Sequence, residues 1–242
     1  MKPGLKLAKE DGSGDVNATE FRRIIGSLRY LTHTRPDLLF AVGYVSRYMQ
    51  APKGSHQQAI KHILRHVKGT SNLGIHYQKG GKEELLGYSD SSYSVDQDDG
   101  KGTTGVVFYF NERPITWSSQ KQQTVALSSC EAEFMAATAA ACQAIWLRGL
   151  LAEITGEQEQ QILIKVDNKS AIALMKNPIF HGRSKHINTR FHYIRECVER
   201  EQIKVEHISG EEQRADILTK ALPKIKFSEM RDKLGMEEIE ET

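Results

Sequence analysis

The chain is poor in the features that would place it outside the folded, nucleus-or-cytosol class. Its 242 residues include only 3 cysteines, Cys130, Cys142 and Cys197. An odd number with no metal-ligand or framework spacing excludes a disulfide scaffold and predicts reduced thiols in an intracellular setting. No window reads as apolar for long enough to span a bilayer, so no membrane partner is expected. The opening Met1-Lys2-Pro3-Gly4-Leu5-Lys6 lacks the apolar core of a signal peptide. There are no internal repeats or low-complexity tracts. Formal net charge is only +2, so no global field announces a polyanion partner. Any such binding must come from local clusters. One is Lys53, Lys61, His62, Arg65, His66 and Lys68, and the other is Arg183, Lys185, His186, Arg190, His192 and Arg195.

What is present suits a folded protein: 39% hydrophobic and 26% charged residues, in a length that allows one medium domain and a smaller one. Residues 1–80 read as helical. Phe21, Ile24, Ile25, Leu28 and Leu31 recur at helical spacing after an Asn17/Thr19 cap. Pro36 opens a second helix and residues 56–67 form a third. Residues 73–77 are a short strand, and Gly80-Gly81 marks a boundary. Residues 81–223 alternate. Strands are expected at 85–93, 105–110 and 115–119, with a hairpin turn at 111–113. A long Ala-rich helix at 129–154, a buried strand at 162–166, helical patterns to 201 and a strand at 205–208 follow, closed by a helix at 211–221. Residues 224–242 are a helix and an acidic, frayed tail. Trp117 and Trp146 are assigned to the core. The order predicts an α/β fold, a mixed sheet with helices on its faces.

The acids fall in telling places. Asp90 interrupts the hydrophobic strand Leu85-Leu86-Gly87-Tyr88-Ser89, where acids are disfavoured. Asp167 ends the strand Ile162-Leu163-Ile164-Lys165-Val166. Glu133 lies in the first turns of the Ala-rich helix, and Asp216 early in the last helix. Each has a structural alternative: Asp167-Asn168 as a helix cap, Asp216 as a first-turn acid, Glu133 as a solvated helix residue. As a set, four carboxylates converging on one sheet edge would repel one another unless a cation neutralised them. An all-oxygen set favours Mg²⁺, with Mn²⁺ as substitute, and a pair of such ions serves phosphodiester hydrolysis.

Four segments occur in order: Gly87-Tyr88-Ser89-Asp90-Ser91, Leu127-Ser128-Ser129-Cys130-Glu131-Ala132-Glu133-Phe134-Met135-Ala136, Val166-Asp167-Asn168-Lys169-Ser170-Ala171 and Arg214-Ala215-Asp216-Ile217-Leu218-Thr219-Lys220. Lys185-His186-Ile187 and Phe191-His192-Tyr193-Ile194-Arg195 accompany them. Together these resemble the ribonuclease H region of the Pol polyprotein of copia-type retrotransposons. Residues 21–77 resemble the end of the adjoining reverse transcriptase, and residues 227–236 the end of the polyprotein.

The resemblance implies a ribonuclease H-like five-stranded mixed sheet, its first three strands antiparallel, flanked by helices and preceded by a small helical segment. It implies cutting of the RNA strand of RNA–DNA hybrids with two Mg²⁺ ions. Asp90 would bridge both metals, Asp216 would join it at the water-activating metal, and Glu133 and Asp167 would complete the other site. Glu131 shares Glu133's motif, but residues two apart on a helix face nearly opposite ways. The following Phe134-Met135-Ala136-Ala137 matches the family's catalytic Glu, so Glu133 is chosen.

Related nucleases carry a loop histidine that moves protons or helps product leave, which points to His207; an ordinary strand-end histidine is the alternative. Lys185, His186 and Arg190 are candidate backbone clamps, and Ser91, Ser129 and Asn168 candidate contacts to sugar or phosphate. No Tyr-x-Asp-Asp-type polymerase signature is present, so the polymerase part of the same polyprotein would be a partner. A cytoplasmic particle or the nucleus would be the place of action. Two other functions compete: a non-enzymatic nucleic-acid-binding or scaffolding module, and an integrase-like reaction on the same sheet.

Overall fold

The computed structural model describes residues 1–81, 84–176 and 188–239. The chain begins with helices α1 (Ala18–Leu31), α2 (Leu39–Ser46) and α3 (Gly54–Lys68). The Asn17 side chain accepts hydrogen bonds from the Thr19 and Glu20 amides, satisfying two otherwise orphaned donors. Gly69 ends α3. Phe21, Ile25, Leu28, Val45, Ile60 and Ile63 form one buried cluster, from the apolar faces of α1 and α3 and from α2, which is apolar on all sides.

Strands β2 (Leu85–Ser91), β3 (Thr103–Phe110), β4 (Arg113–Lys121), β5 (Ile162–Val166) and β6 (Ile203–His207) form a sheet of order β4-β3-β2-β5-β6. Pairing is antiparallel for β2–β3 and β3–β4, and parallel for β2–β5 and β5–β6. This is the ribonuclease H-like sheet that the motifs imply. Side chains alternate across it as the pleat demands. Val106 and Phe108 join the core under α4 (Ser129–Thr155), while Val107 and Tyr109 join a second core on the other face. The β3–β4 turn places Asn111 and Glu112 at φ 52° and 62°, matching the right-handed strand twist at the expense of a left-handed glutamate.

Helix α4 corrects one expectation. Among the described residues it is long and apolar enough, by length and composition, to cross a membrane. Here Ala136, Ala137, Ala140, Ala141 and Ala144 are buried against the sheet, because small side chains let helix and strands approach closely. Trp146, assigned to the core, is instead 59% exposed on the outer side of this helix. Trp117 is partly buried, and its indole N–H donates to the Thr32 carbonyl.

Helices α5 (Lys169–Lys176) and α6 (Asn188–Glu199) pack beside α4. The expected helix at 211–221 does not form. Only Asp216–Leu218 makes a 3₁₀ turn. Buried Gln213 spends its side chain on the Ser89 carbonyl and the Ala215 amide, which ties this segment to the sheet instead. Helix α7 (Lys224–Lys233) follows Pro223. The tail is not frayed through residue 239: β7 (Met236–Glu238) pairs antiparallel with β1 (Leu73–Ile75), closing the end of the described chain onto its first third. Arg47 of the first third reaches Asp96 and Thr103, and the Tyr77 hydroxyl donates to Pro114, adding ties across the expected boundary at residue 80.

Candidate active site

The four acids reach the site from four different elements. Asp90 sits near the C-terminal end of β2, 2% exposed. Glu133 projects from the second turn of α4. Its neighbour Glu131 accepts from the Leu127 amide while the Ser128 hydroxyl accepts from the Glu131 amide, so Glu131 serves the helix start. Asp167 follows the last residue of β5, and Asp216 opens the 3₁₀ turn. Asp90, Glu133 and Asp167 each offer a carboxylate oxygen within 4.8 Å of the others. Asp216 lies beside them, and its charge acts on both Asp90 and Asp167.

Neighbours hold three of the acids in place. The Ser91 amide and hydroxyl both donate to Glu133 Oε1, each at 3.0 Å. Glu133 Oε2 is buried without a partner. The Thr219 hydroxyl donates to Asp90 Oδ2, and Lys220 forms an ion pair with Asp216. Opposite Asp90 in the register stands Gly105. A Cβ there would meet Thr219 Cγ2 at 2.7 Å and the Ala215 carbonyl at 2.9 Å, so only glycine lets the 215–219 segment lie on the sheet beside Asp90. Arg214 stacks over the rings of Tyr88 and Tyr109, clamping the same segment.

Electrostatics follow from burial and like charge. Burial, then the charge of Asp216, pushes the Asp90 carboxyl up to about 7. Burial, then Asp90 and Asp167, pushes Glu133 up to about 9. Asp167 is raised by burial and Asp216, with Lys220 and His207 opposing. Burial alone would lower Lys220, but the charges of Asp90, Asp216 and Asp167 hold it above its usual value. Such a cluster is a poor device for stability and a good one for a hard divalent cation. The fit is direct: an all-oxygen donor set, with one buried Glu133 oxygen that no protein donor satisfies.

The remaining candidates divide. His207 ends β6 opposite Val166, exposed at the rim, where its charge acts on Asp167. Ser91, expected to touch substrate, has its hydroxyl on Glu133 and positions that carboxylate. Asn168 accepts from the Ala171 amide and caps α5. Ser129 is exposed at the start of α4. Lys185 and His186 lie outside the described residues, as does the side chain of Arg190 on α6. In the first basic cluster, Lys53 pairs with Glu10 and Asp15 and His66 with Asp37, which leaves Lys61, His62, Arg65 and Lys68 exposed on α3. Gln213, Thr219 and Gly105 were not singled out from the sequence. Of the three, only Thr219 lies within one of the motifs, Arg214 to Lys220.

Comparison with known proteins adds the following. No protein-family model matches the chain. It is 39% identical over 239 residues, 99% of its length, to a retrovirus-related Pol polyprotein from transposon RE1 of Arabidopsis thaliana. It is 40% identical over 240 residues to the corresponding polyprotein from transposon TNT 1-94 of Nicotiana tabacum. The chain spans 16% and 18% of those two proteins. Among solved structures, LC11-RNase H1, isolated from compost by a metagenomic approach, is 18% identical, with a TM-score of 0.44 over 57% of this chain and 94% of that one. The strand order and directions described above, not this overlap, carry the fold assignment.

Proposed function

This chain is a homologue of one segment of the retrovirus-related Pol polyproteins of copia-type transposons, and from that premise we propose that it is their ribonuclease H region, a metal-dependent endonuclease that hydrolyses the RNA strand of RNA–DNA hybrids. The observation that carries this reading is the convergence of Asp90, Glu133 and Asp167 on one point, with Asp216 beside them. Opposed charges would make such a cluster structural; three like charges with no ion-pair partner among the described residues favour a bound cation.

Asp90, Glu133 and Asp167 would hold one divalent ion, and Asp90 with Asp216 a second, Mg²⁺ in preference and Mn²⁺ as substitute. Such a pair, when bound, supplies an activated water and a stabilised leaving oxygen. The protein's own residues do the rest. Ser91 fixes one oxygen of Glu133 so that the other faces inward. Thr219 orients Asp90, and Gln213 and Gly105 keep the Asp216 segment against β2. His207, exposed at the end of β6 and acting electrostatically on Asp167, would pass a proton between site and solvent. Residues 1–80 are read as the end of the reverse transcriptase, with the upstream polymerase part as partner. Phosphate contacts would come from the exposed bases of α3 and from the 185–195 segment, giving salt-dependent grip on the hybrid.

The test is direct. The purified chain is incubated with labelled RNA–DNA hybrid and Mg²⁺, alongside single-stranded RNA and duplex DNA. Hybrid-specific, chelator-sensitive cleavage is expected, reduced at least about a hundredfold in Asp167→Asn. Binding without turnover, or equal cleavage by that variant, refutes the nuclease and favours a scaffolding role. Strand transfer on DNA would move the chain to the integrase-like reaction.

A further inference from the structure

Among the described residues, Lys220 is the cation paired with one of the site's acids. Asp90, Glu133 and Asp167 converge within 4.8 Å, whereas the Asp216 carboxylate is held in an ion pair by Lys220, four residues on. Lys220 acts beyond that pair: its charge opposes the raised carboxyls of both Asp90 and Asp167. Among the described residues, Asp216 is the acid with which Lys220 forms an ion pair. The lysine side chain is 47% exposed while Asp216 is 9% exposed. The side chain is thus part-exposed while its ammonium pairs with a buried acid, on a flexible four-carbon stem.

We propose that Lys220 is a resident counter-ion that occupies the Asp216 side of the site, so that a second divalent ion binds there only by displacing it. The proposal rests on the metal-dependent nuclease reading above. Its physical content is competition: two cations cannot both neutralise the same carboxylate at close range, and the occupant lowers the apparent affinity of the newcomer by the strength of its own pairing. The Asp90–Glu133–Asp167 side has no such occupant among the described residues and fills first. In the metal-free chain the lysine limits the repulsion that four gathered acids create, which lets the site fold before any metal arrives. Lys220 is thus a positioning residue, acting on Asp216 rather than on the reacting phosphate.

Mn²⁺ binding to the full 242-residue chain, measured by calorimetry and by the Mn²⁺ spin-resonance signal without nucleic acid, tests this. Wild type should bind one ion tightly and a second more weakly. In Lys220→Met the second should tighten about fivefold, the effect of removing one partly exposed ion pair, and the first, whose acids feel the same charge without being paired to it, should tighten by less. Lys220→Arg should keep the wild-type values. The metal-free melting temperature at mildly alkaline pH should fall in Lys220→Met and be restored by Lys220→Arg. Lys220→Gln replaces the Met variant if that fails to fold. A second ion of unchanged or weaker affinity in the neutral variants overturns the proposal, and hybrid cleavage by wild type would show that the nuclease reading survives it. A wild-type chain that binds no Mn²⁺ and cleaves nothing overturns both.

Discussion

Two buried clusters of charge invite comparison. In the first third of the chain, the Arg35 guanidinium donates to both carboxylate oxygens of Asp37 at 2.9 and 2.8 Å and to the Thr70 carbonyl, and His66 adds a contact at 3.3 Å. Hydrogen bonds from His66 and Arg35 overcome the burial that would raise Asp37 and hold its carboxyl below the usual range. At the ends of the central strands, Asp90 and Glu133 are buried and Asp167 is half-buried, with few donors, and all three are raised. Burial is common to both; the sign of the neighbours is what differs. Mixed charge with its hydrogen bonds complete locks elements together, whereas gathered like charge stores repulsion until a ligand relieves it.

The largest contrast is expected from one substitution in each cluster. Asp90→Asn should abolish hybrid cleavage, by about a hundredfold or more. It should also raise the metal-free melting temperature at alkaline pH, since a buried repelling charge is gone. Asp37→Ala should do the reverse, costing about 3–5 kcal/mol in denaturant unfolding because it strands the buried Arg35. It should leave Mn²⁺ affinity unchanged. A stabilised Asp37→Ala, or a destabilised Asp90→Asn, would erase the distinction between the clusters.

Next in size is the pH response. Groups with raised folded pKa values contribute stability that is complete below their unfolded values and is lost as pH rises through the folded ones. For the site this means loss through about 7 for Asp90 and about 9 for Glu133. Asp37, with a lowered value, contributes in the opposite sense, and its share is lost only as pH falls into the acid range. The metal-free chain should therefore melt at a lower temperature at about pH 9 than at about pH 6, and saturating Mg²⁺ should flatten the difference. A metal-free melting temperature that rises across this window would contradict the raised carboxyls. The smallest expected effect lies away from both clusters. Glu112→Gly, relieving a left-handed glutamate in the β3–β4 turn, should add about 0.5–1 kcal/mol of stability without altering metal binding or cleavage.

Much of the fold was legible because its signals are local. The strand 162–166 and the long Ala-rich helix lie where residue type and spacing put them. The expected helix at 211–221 failed because Gln213 is committed to the Ser89 carbonyl, a partner 124 positions away that no local pattern reveals. Trp146 was misplaced because α4 carries apolar residues on all sides, and nothing in its periodicity says which side faces water. The 236–238 tail was read as frayed because its partner, β1, lies more than half the chain away.

By itself, the sequence determined which acids stand where an acid is costly: Asp90 inside a strand and Asp167 at the end of one are visible from backbone preference alone. Helix geometry allowed only one of Glu131 and Glu133 to face the site, and the choice of Glu133 came from the family motif that follows it. Only the tertiary structure decided that three of these acids bring carboxylate oxygens within 4.8 Å, that the Ser91 hydroxyl donates to Glu133, and that Lys220 is paired with Asp216. The reason is physical. A residue's cost in a strand or helix is set within a few neighbours, whereas repulsion, desolvation and pairing depend on distances that exist only once the sheet has closed.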